Sequence, residues 1–207
     1  MSTPDVPSPP EARALWRAVF GNDHPVEVEI GPGRGEMLLT YAAAAPATNF
    51  FAIERSAGAA DAIGAKAARR GLHNVRVIAA DARCVLAYVL ADASVAAYHI
   101  YFPDPWPKTR HRARRLASRP FARDLARTLL PGGALHLASD LRPLLDEFAV
   151  HLACAGLVPE AGATPPAPRP TTAYERKYAW AGTHYLRFGR PLPADEDGAP
   201  APVCADE

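Results

Sequence analysis

The sequence predicts an α/β fold with a mostly parallel central sheet, and three observations carry that expectation. Short apolar runs alternate with helical patterns along most of the chain, the order expected of βαβ units. A glycine-rich turn, Gly31-Pro32-Gly33-Arg34-Gly35, directly follows the first apolar run. The 207 residues are 49% hydrophobic, enough to build one ordinary domain around a real core.

The elements follow in chain order. Residues 1–10 and 191–207 are Pro-rich and read as disordered tails, because little there could bury enough apolar surface to offset the ordering entropy. Residues 11–190 form the single domain. Val26–Ile30 (VEVEI) reads as the first buried strand, and Arg34–Ala45 as the helix after the glycines. Asn49–Glu54 (NFFAIE) and Val75–Ala79 (VRVIA) are the next strands, each followed by a helix, Ala57–Arg70 and Ala82–Ala91. Ala96–Phe102 reads as the fourth strand, Ser118–Leu129 as a helix, Ala134–Ser139 as the fifth strand and Pro143–Ala155 as a helix. Residues 162–171 (GATPPAPRPT) read as an extended surface loop, and Thr183–Arg190 as a final strand. His99 is expected in the core and Cys84 in helix packing.

Composition narrows the function classes. The three cysteines, Cys84, Cys154 and Cys204, are far apart and form no CxxC pair. That spacing argues against a disulfide scaffold or structural zinc site and fits a reducing cytoplasm. Scattered histidines give no metalloenzyme spacing, so no metal is expected. No apolar run approaches membrane-span length, and the N-terminal residues lack a secretory pattern. A cytoplasmic protein, monomer or homodimer, is the expectation. Formal net charge is only +1, but the distribution is uneven. Residues 191–207 hold five acids and no base, whereas Lys108 to Arg127 holds eight Lys or Arg and one acid, a local charge of +7. Positive charge gathered in one segment is the pattern of a polyanion-binding surface, against the alternative of a solvated charged stretch.

In a parallel α/β sheet the ligand binds at the carboxyl ends of the strands. Glycines at spacing two there allow sharp turning and close backbone approach, and the following helix offers free N–H groups. A dinucleotide fingerprint would need Gly or Ala at 36, where this chain has Glu36. The form Glu29-Ile30-Gly31-Pro32-Gly33-Arg34-Gly35 instead resembles the S-adenosylmethionine loop of class I methyltransferases; the alternative is a glycine turn with no ligand. Glu54, ending the second strand, can accept from both ribose hydroxyls. Asp81, after the third, can accept from the adenine amine.

The fourth strand runs into Tyr101-Phe102-Pro103-Asp104-Pro105-Trp106-Pro107-Lys108, followed by Arg110-His111-Arg112-Ala113-Arg114-Arg115. This segment resembles the hallmark of bacterial tRNA (guanine-N7)-methyltransferases, which methylate guanine 46 in the tRNA variable loop. Leu130-Pro131-Gly132-Gly133, Ser139-Asp140, Thr172-Ala173-Tyr174-Glu175 and Tyr185-Leu186-Arg187-Phe188 agree with the same family in the same order, so the resemblance spans about residues 16–190. It implies a Rossmann-like class I methyltransferase fold with helices on both sheet faces and an antiparallel last strand. It further implies S-adenosylmethionine bound by Glu29, Gly31, Gly33, Gly35, Glu54, Asp81 and Asp104, with Asp104 as the active-site acid. The RNA substrate would meet Lys108, Arg110, Arg112, Arg114, Arg115, Asp140, Thr172, Tyr174 and Glu175.

The chemistry suits these residues. Guanine N7 carries a lone pair and no proton, so methyl transfer to it needs no general base, only alignment and electrostatics. Asp104, between two prolines, would favour positive charge arriving on the purine; the alternative is a turn with a capping Asp. Trp106 stacks on a base or anchors the loop. His111 is a phosphate contact or a structural donor. Two other classes remain: an RNA-binding protein that kept the fold but lost activity, and a nicotinamide oxidoreductase, disfavoured by Glu36.

Overall fold

The computed structural model describes residues 9–106, 110, 115–161, 170–172, 175–176 and 182–193. Seven strands form one sheet, β1 (Val26–Ile30), β2 (Asn49–Glu54), β3 (Val75–Ala79), β4 (Val95–Tyr101), β5 (Leu129–Ser139), β6 (Val158–Pro159) and β7 (His184–Gly189). Their order is β3-β2-β1-β4-β5-β7-β6. The first five pair in parallel, and β7 lies antiparallel between β5 and β6. The chain reverses direction beside β1, since β2 and β4 flank it, and that switch point opens a crevice at the carboxyl ends of the strands.

Among the described residues, the helices α1 (Pro10–Phe20), α2 (Glu36–Ala44), α3 (Ala57–Arg69), α4 (Ala82–Tyr88), α5 (Arg119–Thr128) and α6 (Arg142–Cys154) cover both faces. Strand alternation sorts the core into two layers. Val28, Ile30, Phe51, Ile53, Tyr98, Ile100, Leu135 and Leu137 pack with residues of α1, α4, α5 and α6, including Trp16, Leu86, Phe121 and Phe148. Phe50, Ala52, Tyr101 and Ala138 face α2 and α3 through Leu38, Tyr41 and Ile63. Burial on both faces is most complete in β4, whose seven residues are all buried.

The expected boundaries of β1, β2 and β3 coincide with those observed, and the others shift by a few residues at their ends. Two elements were not expected. Helix α1 begins at Pro10, inside the predicted tail, and buries Ala12, Trp16 and Phe20, whose spacing of four marks one helical face. Trp16 donates its indole N–H to the Ser94 carbonyl at 2.6 Å and meets Phe51 edge-on. Strand β6 is two residues long, too short to leave a pattern.

One cysteine expectation is corrected. Cys84 is exposed on α4 rather than packed, because Ala82, Val85 and Leu86 take the inward face. His99 lies in the core as expected, 1% exposed. It bonds Glu27 at 2.7 Å and the Tyr101 hydroxyl at 2.9 Å, and stacks on His136 at 5.2 Å between ring centroids. No helix among the described residues is long and apolar enough to cross a membrane.

Candidate active site

Four strand ends meet at one cleft of about 400 Å³. Its walls include Gly31 after β1, Glu54 ending β2 with Arg55 just beyond it, Asp81 after β3, and Phe102, Asp104 and Trp106 after β4. Each wall exists for a local reason.

The loop after β1 holds all three glycines at positive φ, 70° for Gly31, 56° for Gly33 and 73° for Gly35. Gly35 is the most constrained. A Cβ there would lie 3.0 Å from Ile63 Cγ2, so glycine permits both the left-handed turn and the close seat of α2 on α3. Beneath the loop, Glu29 is 4% exposed. The backbone N–H of Leu38 donates to it, and its Oε2 has no hydrogen-bond partner. Burial pushes this carboxyl up to about 7, opposed by His99 and by the Leu38 bond.

Glu54 accepts from the Gly33 N–H at 3.2 Å and the Ser56 N–H at 2.9 Å, joining the glycine loop to the start of α3. Asp81 is the N-cap of α4, accepting from the Arg83 backbone N–H at 2.9 Å. The Arg83 guanidinium also grips both carboxylate oxygens, at 3.0 and 2.5 Å. That side-chain bond, against partial desolvation, holds the carboxyl below its ordinary value.

The Phe102–Trp106 corner is bent at both ends. Phe102 and Trp106 have φ of 51° and 41°, the left-handed region that non-glycine residues avoid. Each precedes a proline, whose ring disfavours the right-handed helical region for its neighbour. Such strain costs of order 1–3 kcal/mol per residue and tends to gather at functional sites. It leaves Asp104 exposed on the cleft rim. Trp106 is half-buried, with the Arg55 guanidinium 6.0 Å from its ring centroid.

The remaining predicted residues divide. Asp140 sits half-buried just after β5, beside the Ser139 hydroxyl. Thr172 and Glu175 form a reciprocal capping box: the Thr172 N–H and hydroxyl donate to Glu175 Oε2 at 2.9 and 3.0 Å, and the Glu175 N–H donates back to the Thr172 hydroxyl at 3.2 Å. Glu175 is buried, and Arg176 beside it reaches Glu36 at the start of α2 at 3.2 Å. The TxxE spacing thus builds local structure, and Arg176 ties this segment to the start of α2 just after the glycine loop. Arg110 is exposed. Arg115 turns inward, donating to the Trp106 carbonyl at 3.1 Å and to Glu147 at 3.3 Å. Lys108, Arg112, Arg114 and Tyr174 lie outside the described residues, as does His111.

Does this site fit S-adenosylmethionine? A left-handed glycine loop beside the carboxylates of Glu54, Asp81 and Asp104 on a nucleoside-sized cleft supplies acceptors for its ribose and adenine donors, while Glu29 is buried and does not line the cleft. Comparison with known proteins agrees. Residues 23–187 match the family described as "Putative methyltransferase". The tRNA (guanine-N(7)-)-methyltransferase of Sodalis glossinidius is 38% identical over 165 residues, 77% of this chain and 69% of that protein. That of Thiobacillus denitrificans is 42% identical over 163 residues, 77% of this chain and 72% of its own. The chain belongs to the bacterial tRNA (guanine-N7)-methyltransferase family.

The fold of this tRNA (guanine-N7)-methyltransferase family member is that of class I methyltransferases. The 16S rRNA methyltransferase KamB superposes with a TM-score of 0.66 at 19% identity, covering 86% of this chain and 93% of that one. A 16S rRNA (adenine(1408)-N(1))-methyltransferase from Catenulisporales acidiphilia gives 0.61 at 15%, covering 88% and 93%. At those identities the likeness concerns the class I fold alone. Two lining residues, Arg55 and Arg83, were not among the sequence candidates. Arg55 directly follows the strand-end acid Glu54, and Arg83 stands two residues after the helix cap Asp81, positions that could have signalled them.

Proposed function

We propose that this protein transfers the methyl group of S-adenosylmethionine to N7 of guanine 46 in the tRNA variable loop. The observation that carries the reading is the convergence of Glu54, Asp81 and Asp104 on one cleft, in a chain bearing the FPDPWPK segment. Glu54 accepts from the ribose hydroxyls, Asp81 from the adenine amine, and Glu29 supplies the unpaired carboxylate oxygen under the glycine loop. The bound cofactor supplies an electrophilic methyl on a sulfonium; the rest is the work of the chain.

Because guanine N7 has no proton to lose, the protein must align the base and accommodate charge. Asp104, fixed by the bent proline corner, is the carboxylate placed to stabilise positive charge arriving on the purine and to accept from its N–H groups. The positive segment from Lys108 onward, with Asp140 and the Thr172–Glu175 cap, forms the RNA side of the site. Exposure of Asp104 before the RNA binds suits a group that is desolvated only when the base covers it, where its electrostatic effect is largest.

The test is single-turnover methylation of a tRNA transcript, with the product nucleoside identified by mass spectrometry. Asp104→Asn keeps shape and removes charge, so the rate falls by ~10²-fold or more, about 2.7 kcal/mol of barrier. A near wild-type rate makes Asp104 a turn residue only.

A further inference from the structure

The basic segment ends in α5, and its arginines serve different purposes. Arg127 binds the carbonyls of Leu86 and Leu90 at 2.5 and 3.2 Å and pairs with Asp92 at 2.5 Å. It pins the C-terminal end of α4 against α5. Arg123, one turn earlier, is exposed to solvent. At the pinned end of α4 stands Tyr88, 87% exposed, the most exposed of the large apolar side chains among the described residues. A phenol ring held almost wholly in water on a rigid helix end contributes nothing to the core.

Tyr88 borders a groove of about 420 Å³ between α4 and α5, lined also by Arg83, Ala87, Arg115, Phe121 and Asp124. This groove is separate from the cofactor cleft but shares a wall with it. Arg83 lines both. Arg115 lines the groove and bonds the carbonyl of Trp106, which lines the cleft. Whatever polymer enters the cleft with one unit therefore has a second recess beside it.

We propose that this α4–α5 groove receives an unstacked base of the RNA substrate, next along the strand from the methylated guanine, with Tyr88 as its stacking platform. The reading rests on tRNA as substrate. Three features select a nucleotide over a protein segment. The volume, close to that of the cofactor cleft, admits one nucleoside. The strongly exposed apolar side chains here are Tyr88 and its neighbour Val89, less than the broad apolar patch that protein docking uses. Arginines flank the recess, and the local excess of positive charge continues from the catalytic corner. Base stacking on aromatic rings with arginine beside the backbone is the usual way of holding single-stranded nucleic acid.

The test compares the full chain with Tyr88→Ala and Tyr88→Phe. The dissociation constant for a tRNA transcript is measured by fluorescence anisotropy, and that for S-adenosylhomocysteine by calorimetry. Tyr88→Ala weakens tRNA binding about ten-fold, the scale of one base–aromatic stack. KM for tRNA rises in step, while cofactor affinity and melting temperature hold, since the exposed ring packs on nothing. Tyr88→Phe keeps the ring face and binds tRNA like wild type. Tyr88→Ala within two-fold of wild type overturns the groove, as does Tyr88→Phe binding as weakly as the alanine variant. A wild-type protein that neither binds nor methylates tRNA overturns the substrate reading, and this one with it.

Discussion

Replacing Glu29 by Gln isolates one buried charge. With its carboxyl pushed from 4.5 up to about 7 by burial, the folded protein keeps a proton that the unfolded chain has released. Below pH 4.5 both states are protonated and the group contributes no slope. Between 4.5 and about 7 each unit of pH lowers stability by about 1.4 kcal/mol, and above about 7 the penalty is constant at roughly 3 kcal/mol. His136 acts in the opposite direction. Burial lowers its value from 6.5 to about 3, so stability rises with pH across that window and is complete above 6.5. In wild type the two slopes nearly cancel between pH 4.5 and 6.5. Glu29→Gln removes the falling one. The variant's stability relative to wild type therefore improves by about 3 kcal/mol from pH 4.5 to 8. Any fixed cost of burying the amide drops out of that difference. Urea denaturation of cofactor-free protein at several pH values measures it, and adding S-adenosylhomocysteine shows the functional cost, because the unpaired oxygen is lost. An advantage of equal size at pH 4.5 and pH 8 would refute the argument and mean that Glu29 is ionised in the fold without penalty.

Other predictions follow from the same geometry. Glu54→Ala weakens S-adenosylhomocysteine binding by about 1.5–3 kcal/mol in calorimetry, and the glycine loop also loses the acceptor for Gly33 and Ser56. Gly35→Ala places a Cβ against Ile63 at positive φ, costing about 1–3 kcal/mol and lowering the melting temperature by several degrees in a scan. Arg112→Ala with Arg114→Ala flattens the dependence of tRNA affinity on salt by about two units of log–log slope, with cofactor binding unchanged; an unchanged slope moves the RNA surface elsewhere.

Much of the fold was legible because its signals are local. The parallel strands are short runs rich in Val, Ile and Phe, so VEVEI, NFFAIE and VRVIA announce themselves and their boundaries despite the charged residues within them. The glycine loop was legible because only glycine takes three left-handed turns at that spacing. The proline corner marked itself by composition, and strand-end acids followed once the strand order was assumed. Helix α1 escaped because its prolines resemble a tail, although Ala12, Trp16 and Phe20 carry the periodicity.

What the tertiary structure alone decided concerns neighbours distant in sequence. Glu29 and Glu54 are both glutamates at strand ends, yet one is buried above a histidine and the other is half-exposed, and only packing distinguishes them. The arginines of the basic segment look alike in sequence. Glu147 and the Trp106 carbonyl capture Arg115, and Asp92 with the end of α4 captures Arg127, while Arg123 stays in water. Cys84 faces solvent because Val85 and Leu86 fill the contact with the sheet. Periodicity states which face of an element is apolar. It carries no term for desolvation or pairing, because both depend on what the rest of the chain brings within a few ångströms.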